Sequence, residues 1–434
     1  MTLRRYKDIL ALRDGDTILG FHARNLELAT LDEAAWDALA AGSTGPAREE
    51  LAGWEQYNNP EIKNEINGFG VRSLVINITQ FCNLRCTYCA AGGDGTYGSN
   101  DGAKGKVDLT VAQAQLKKFI GETPDGDSFA VQFFGGEPLL HPEAVRSLAN
   151  YAKLLTAGRD IDLKFSITTN GTMITPAVAQ LLADMNCNIT LSLDGPAEIN
   201  DRVRPSAGGK GSTQKVLEGL RNALEVRHRL SGIGINCVVG SHNLDLVAAY
   251  EFFKPYDFDF INFIYAVGSA DQELSRKFVA QMEDVMKRAD AHGGERELRK
   301  FPTVDRDFNT LDQGVRTVNH CGAGKSLMYT DTKGAMYTCN WFMDDKTEQV
   351  GQNTTLFPSK LADYEGDLVD RHDCHSCWAR FLCGGGCMFV NKVKMGDKHV
   401  SDPHYCLRTR SLALTMLKYY AKYRYAEAAP AESA

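Results

Sequence analysis

Between residues 73 and 270, short apolar or β-branched runs alternate with longer stretches of helical periodicity. This alternation is the pattern of βα units built on a parallel sheet. Six candidate strands can be read: Ser73 to Thr79 (SLVINIT), Phe129 to Gly135 (FAVQFFG), Asp162 to Thr169 (DLKFSITT), Asn188 to Asp194 (NITLSLD), Gly232 to Val239 (GIGINCVV) and Phe258 to Val267 (FDFINFIYAV). Between them, Thr110 to Ile120, Pro142 to Thr156, Pro176 to Met185, Ser212 to Leu230 and Leu244 to Phe253 carry apolar residues at helical spacing, several behind a Thr, Ser or Pro start signal. The expected fold is α/β, an open, partial (β/α)6 TIM-like barrel.

Barrels of this kind place their chemistry at the carboxyl ends of the strands, in the βα loops. Four conspicuous motifs fall there. FCNLRCTYCAAGGDGTYG follows the first strand, Gly135-Gly136-Glu137-Pro138 ends the second, Thr169-Asn170-Gly171 the third and Ser192-Leu193-Asp194-Gly195 the fourth.

The first motif holds three cysteines in eight residues, which raises disulfide, zinc and iron-sulfur readings. The first thirty residues show no secretory pattern, so the expected location is the cytoplasm, where thiols stay reduced. Twelve cysteines in 434 residues is also not the density of a disulfide scaffold. A structural zinc site takes four ligands, and no fourth is local. A net charge of -7 argues against nucleic acid as the main partner, and no run approaches the ~18 apolar residues of a membrane span.

Cys82, Cys86 and Cys89, spaced C-x3-C-x2-C with Tyr88 before the last, resemble the signature of the radical S-adenosylmethionine superfamily. That resemblance implies a [4Fe-4S] cluster on three thiolates, whose fourth iron binds the amino and carboxylate groups of S-adenosylmethionine. It further implies a 5'-deoxyadenosyl radical that abstracts a hydrogen atom from substrate. Gly135 and Gly136 would let the backbone approach the cofactor's amino group, and Glu137 would accept a hydrogen bond from it. Ser192 and Asp194 resemble the family's ribose and carboxylate contacts. Arg204 is a candidate partner of the methionyl carboxylate. For Asn170 and Asp194 a turn-forming role competes with a cofactor role.

The carboxyl-terminal third carries Cys321, Gly334 and Cys339, then Cys374-x2-Cys377-x5-Cys383-x3-Cys387, then Cys406. This resembles the seven-cysteine SPASM domain, which implies two auxiliary [4Fe-4S] clusters and three clusters in all. The residues matching one auxiliary cluster are Cys374, Cys377, Cys383 and Cys406. Those matching the other are Cys321, Cys339 and Cys387, which leave an iron open unless another ligand fills it, and a substrate thiol is a suitable guest. Cys187 and Cys237 are expected to be small buried hydrophobes. His320 and His404 stand beside cysteines but read as surface or supporting residues. Gly324-Lys325-Ser326 is no phosphate loop, because Asn319 stands where that motif needs glycine.

Radical SPASM proteins mostly modify peptides or proteins, so the expected partners are a cysteine-containing peptide or small protein and a flavodoxin or ferredoxin-type electron donor. The segment CNWFMDDKTEQVGQ after Cys339 resembles peptide maturases that form thioethers, of the sactipeptide or ranthipeptide kind and of the quinohemoprotein amine dehydrogenase subunit. Asp344 and Asp345 are candidate bases. The closest rival is a formylglycine-forming sulfatase maturase, a family that has aspartate directly after the second SPASM cysteine where this chain has Asn340, a poor proton acceptor. A carbon-carbon cross-link is a further alternative, and a nonenzymatic electron carrier is an alternative from another class.

Residues 8 to 22 alternate around Asp14-Gly15, a dipeptide suited to a hairpin turn, and helical patterns follow at 31 to 41 and 46 to 57. So small a region is marginal alone and is expected to pack on the rest of the chain. It reads either as a docking module for an extended leader strand or as a plain amino-terminal cap. The expected division is a hairpin-helix region over 1–70, the barrel over 71–310, a SPASM domain over 311–425 and a disordered tail over 426–434.

Overall fold

The six βα repeats are realised as parallel strands at Ser73–Thr79, Ser128–Gly135, Asp162–Thr169, Asn188–Ser192, Gly232–Val239 and Phe260–Tyr265. The computed structural model describes residues 2–65, 70–89, 105–266, 271–343 and 345–425. Each strand pairs in parallel with the next, and Phe260–Tyr265 forms one end of the sheet, which is therefore open. This is the expected partial barrel.

Alternation along the strands separates two faces. Val131, Phe133, Ile167, Ile189, Leu191, Ile233 and Ile235 are buried to 1% exposure or less and form the apolar core. The intervening Gln132, Thr168, Thr190, Ser192 and Asn236 are polar and half-buried. Side chains of successive residues point to opposite faces of a strand, so this second set lines the other face. Its members are neutral; Gln132 Nε2 lies 3.4 Å from Thr168 Oγ1, and Asn236 Oδ1 lies 3.1 Å from Nδ2 of Asn262 on the sixth strand.

Helices Leu109–Gly121, Pro142–Thr156, Pro176–Asp184, Thr213–Glu225 and Leu246–Phe253 connect the strands, with Asp108, Thr175 and Asp245 capping three of them. The pattern from Ser212 to Leu230 is interrupted: Val226 leaves helical geometry, and Arg227–Arg229 forms a separate 3-10 turn. The sheet also continues beyond the first strand. Leu327–Thr330 pairs in parallel with Ser73–Thr79, and Ala335–Tyr337, Gln349–Gln352 and Thr355–Leu356 follow antiparallel. Residues 322–365 and 67–269 thus form one compact unit.

The other unit collects residues 1–66, 270–321 and 366–434. Its amino-terminal sheet has four antiparallel strands, with the expected hairpin Ile9–Asp14 and Thr17–His22 flanked by Thr2–Tyr6 and Glu27–Thr30. Helices Glu33–Ala38 and Pro46–Gln56 cover it, burying Trp36 and Leu51 with Ile9, Ala11 and Ile18. The hairpin packs on the cysteine-rich segment as well: Phe21 meets Trp378 edge to face at 6.3 Å, and Asp8 accepts from Arg380 at 2.8 Å. Helices Gln272–Leu298, Pro302–Gln313 and Pro403–Tyr425 complete this unit. Among the described residues no helix is long and apolar enough to cross a membrane.

Candidate functional site

The site begins where the first strand ends at Thr79 and the chain turns into the cysteine loop. A second segment holds that loop by its backbone. Arg85 N donates to Pro205 O at 2.7 Å, Thr87 N to Val203 O at 2.9 Å, and Ala207 N to Asn83 O at 2.9 Å. The geometry of the thiols is thus set by main-chain pairing with residues 203–207.

Cys82, Cys86 and Cys89 are half-buried and free, and each of the first two is close enough to the next to raise its pKa. Burial is the larger cause, taking Cys82 up to about 12 and raising Cys86, whose rise the Arg204 cation opposes. A thiol so placed ionises when a metal replaces its proton. Nitrogen donors already face the sulfurs: Leu84 N lies 3.4 Å and Asn170 Nδ2 3.6 Å from Cys82 Sγ, and Arg204 Nη1 lies 3.7 Å from Cys86 Sγ. Among the described residues no three Cys, His, Asp or Glu side chains close on one point as around a single ion. A cluster takes each thiolate on a separate iron, and this donor set of three thiols with N–H donors to sulfur fits it.

The strand-end motifs meet at this loop. Gly135 and Gly136 make room for protein backbone. A Cβ at Gly135, whose φ is +140°, would stand 2.4 Å from Thr79 O, and one at Gly136 would stand 2.1 Å from Phe81 O. The close approach they permit is that of the cysteine loop itself. Glu137 is fully buried, and its carboxylate accepts from Leu139 N at 2.9 Å, Thr169 Oγ1 at 2.7 Å and Asn170 N at 2.7 Å. These contacts tie the second strand end to the third, with a single donor on Oε2.

Asn170 also carries a structural load. Its Oδ1 accepts from Thr172 N at 3.0 Å, closing a turn, while its Nδ2 donates to Asn83 Oδ1 at 2.8 Å. Asp194 has no exposed surface, and its carboxylate is taken up by Tyr88 Oη, by Arg204 Nε at 2.9 Å and by Val238 N at 2.8 Å. Asp194 thus forms an internal ion pair with Arg204. Tyr88 lies between Arg204, 5.3 Å from its ring, and His242, stacked on it at 5.0 Å. Ser192 ends the fourth strand, half-buried beside Asn236 in register.

His242, Asn83, Thr172 and Asn200 were not singled out by the motifs. The strand-end rule alone points to His242, which follows the fifth strand by three residues. Asn200, whose Oδ1 accepts from Asp194 N at 3.1 Å, sits in a short helix that leaves no motif. Asp344 and the glycines after Cys89 lie outside the described residues. Asp345 is described, and its Oδ1 caps a turn by accepting from Thr347 N at 2.9 Å.

Burial takes the Glu137 carboxyl up to about 7. A carboxyl whose folded value exceeds its unfolded one contributes stability that is complete below the unfolded value and lost as pH rises through the folded one. Stability of the native chain is expected to fall by ~3 kcal/mol between about pH 4.5 and 7 on this account, and Glu137→Gln is expected to flatten that slope. Thermal unfolding at several pH values checks it, and parallel profiles for the two proteins would contradict it.

In the other unit, Cys374, Cys377, Cys383 and Cys406 gather within electrostatic range of one another. Burial first, then the neighbouring thiols, raises Cys374 to about 11 and Cys383 to about 12. Cys321 and Cys387 also belong to that unit, and Cys339 to the barrel unit, where its Sγ lies 3.7 Å from Asn340 Oδ1. Cys187 and Cys237 are fully buried, as expected of small hydrophobes.

The partial barrel with three thiols on its first βα loop finds a match among known proteins. Residues 76–253 match the family model described as the Radical SAM superfamily. This chain carries a radical SAM domain and is an enzyme. It is 27% identical over 369 residues to a cysteine-type anaerobic sulfatase-maturating enzyme of Clostridium novyi, covering 79% of this chain and 94% of the relative. It is 26% identical over 352 residues to the mycofactocin maturase MftC of Mycobacterium tuberculosis, covering 73% and 78%. Among solved structures, native anSMEcpe with bound AdoMet and Cp18Cys peptide shares the fold with a TM-score of 0.66 at 21% identity, over 82% of this chain and 99% of that one.

Proposed function

We propose that this chain is a radical S-adenosylmethionine maturase that installs a thioether in a cysteine-containing peptide or small protein subunit. The observation that carries the radical part is the set of three neighbouring thiols faced by N–H donors at the carboxyl end of the first strand. When bound, a [4Fe-4S] cluster with S-adenosylmethionine supplies a radical able to take a hydrogen atom from an unactivated carbon. Cys82, Cys86 and Cys89 would hold the cluster, Asn170 and Arg204 would orient the thiolates, and Tyr88 would be kept in place by Asp194 and His242. The neutral polar face with Gln132, Thr168, Thr190 and Asn236 suits a substrate brought in without charge.

The relatives support a peptide substrate, since both are maturases by name and the solved neighbour holds a peptide. Cys374, Cys377, Cys383 and Cys406 would hold one auxiliary cluster, and their grouping supports it. Cys321, Cys339 and Cys387 are proposed for the other from spacing alone, with an open iron for a substrate thiolate. The exposed outer strand Thr2–Tyr6 is proposed to receive an extended leader segment, and an external flavodoxin or ferredoxin-type carrier to supply electrons.

A second reading, cysteine oxidation to formylglycine, is favoured by the relatedness to sulfatase-maturating enzymes and opposed by Asn340 in place of an aspartate. Anaerobic incubation with a candidate cysteine-containing peptide separates the two. A thioether predicts loss of two hydrogens with the thiol no longer alkylated, whereas an aldehyde that reacts with a hydrazide would establish formylglycine. A product with its thiol still alkylated would refute both bonds.

A further inference from the structure

Arg204 sits at the centre of the strap that holds the cysteine loop, between the two backbone hydrogen bonds that Val203 O and Pro205 O accept. It is 5% exposed, and its guanidinium is divided between two partners: Nε and Nη2 reach Asp194 at 2.9 and 3.3 Å, and Nη1 reaches Cys86 Sγ at 3.7 Å. Asp194 is in turn fixed by Val238 N and Tyr88 Oη, and Tyr88 is braced by His242. Removing a guanidinium and a carboxylate from water is costly, and such a pair is often replaceable by apolar side chains without loss of stability. Stability alone therefore does not account for a buried arginine whose free nitrogen is aimed at a sulfur.

We propose that Arg204 is a positioning residue that sets the reduction potential of the group held by Cys82, Cys86 and Cys89, acting through the Cys86 thiolate. The proposal rests on reading those cysteines as cluster ligands, and it assigns Arg204 a task other than pairing with the methionyl carboxylate. On reduction, the cluster takes one electron from the reductant and becomes more negative by one charge, with no bond broken and no proton moved. A fixed cation and N–H donor at a ligand sulfur favours that more negative state, so Arg204 eases reduction. Asp194 has the opposite sign and also holds the guanidinium, so it moderates the effect.

The test is a dithionite titration of the anaerobically reconstituted full chain, followed by electron paramagnetic resonance of the cluster whose signal changes when S-adenosylmethionine is added. Arg204→Gln is expected to lower the reduced-to-oxidised ratio at a fixed potential about tenfold, which is about 59 mV for a one-electron couple. Asp194→Asn is expected to raise that ratio at least threefold. Opposite signs distinguish an electrostatic role from a structural one, because general loosening moves both variants the same way. If Arg204→Gln does not fold, the sign of the Asp194→Asn shift decides. Unchanged potentials with full iron content, or shifts of one sign in both, overturn the proposal while leaving the cluster assignment standing. Absence of any cluster in the native chain would instead remove the reading beneath it.

Discussion

Replacing Cys82, Cys86 and Cys89 together by alanine is expected to end the formation of 5'-deoxyadenosine while leaving the protein folded. The loop is held by main-chain hydrogen bonds with Val203, Pro205 and Ala207, none of which involves a sulfur. Asn170 loses its contact with Cys82 but keeps Asn83 and Thr172. The unfolding temperature of the metal-free variant should therefore stay close to that of the metal-free native chain. With the two auxiliary clusters proposed above, iron content is expected to fall by about four per chain, from about twelve to about eight, because the seven cysteines proposed for those clusters are untouched. Iron and sulfide analysis with chromatography of the nucleoside products checks both parts. Retained deoxyadenosine formation, or loss of all iron, would contradict the separation of initiating and auxiliary sites.

The second large effect is expected from Gly136→Ala, which changes one methyl group. The new Cβ would lie 2.1 Å from Phe81 O and 2.4 Å from Phe81 C, and neither is a flexible side-chain end. The neighbouring backbone is pinned, since Gly136 N donates to Thr79 O and Glu137 N to Phe81 O, each at 2.7 Å. Relief therefore means pulling the cysteine loop off the second strand end. Overpacking of this kind costs about 3 kcal/mol or more, with a matching drop in unfolding temperature of ~10 °C. Cluster assembly is expected to suffer with it. Gly121→Ala, where no heavy atom lies within 4 Å, is the control and is expected to change the unfolding temperature little. Equal behaviour of the two variants by calorimetry would show that the second strand end is not tied to the loop.

Much of the barrel could be read before the structure was known because its strands are regular and its helices separate them. Ser73–Thr79, Asp162–Thr169 and Gly232–Val239 fall at the limits their apolar patterns mark. The fourth strand ends earlier than its sequence suggests, at Ser192, because the chain turns at Asp194 to make an internal ion pair. Strands of two to four residues between 327 and 356 carry too little alternation to be recognised, and cysteine spacing dominates that segment. The helix Gln272–Leu298 repeats Phe278, Met282, Val285, Met286 and Ala289 at helical spacing, a signal present in the sequence beyond the reach of the βα rhythm.

Candidate site residues divide in the same way. Residue types and spacing announced the cysteines, because metal ligation leaves a local signature. The partners of those residues did not show, since Arg204 and Cys86 are 118 positions apart and meet only because the loops after the first and fourth strands come together at the carboxyl ends of the sheet. Glu137 and Asp194 were conspicuous as acids at strand ends. Only the structure revealed that both are buried and accept hydrogen bonds from protein donors that tie strand ends together.

The central claim is that three thiols on the first loop hold a cluster that cleaves S-adenosylmethionine reductively. The most direct measurement is anaerobic reconstitution of the native chain with iron and sulfide, followed by incubation with S-adenosylmethionine and dithionite and quantification of products. Equal amounts of 5'-deoxyadenosine and methionine, absent from the variant lacking Cys82, Cys86 and Cys89, are the result predicted. A native chain that assembles its clusters yet yields no 5'-deoxyadenosine would contradict the account.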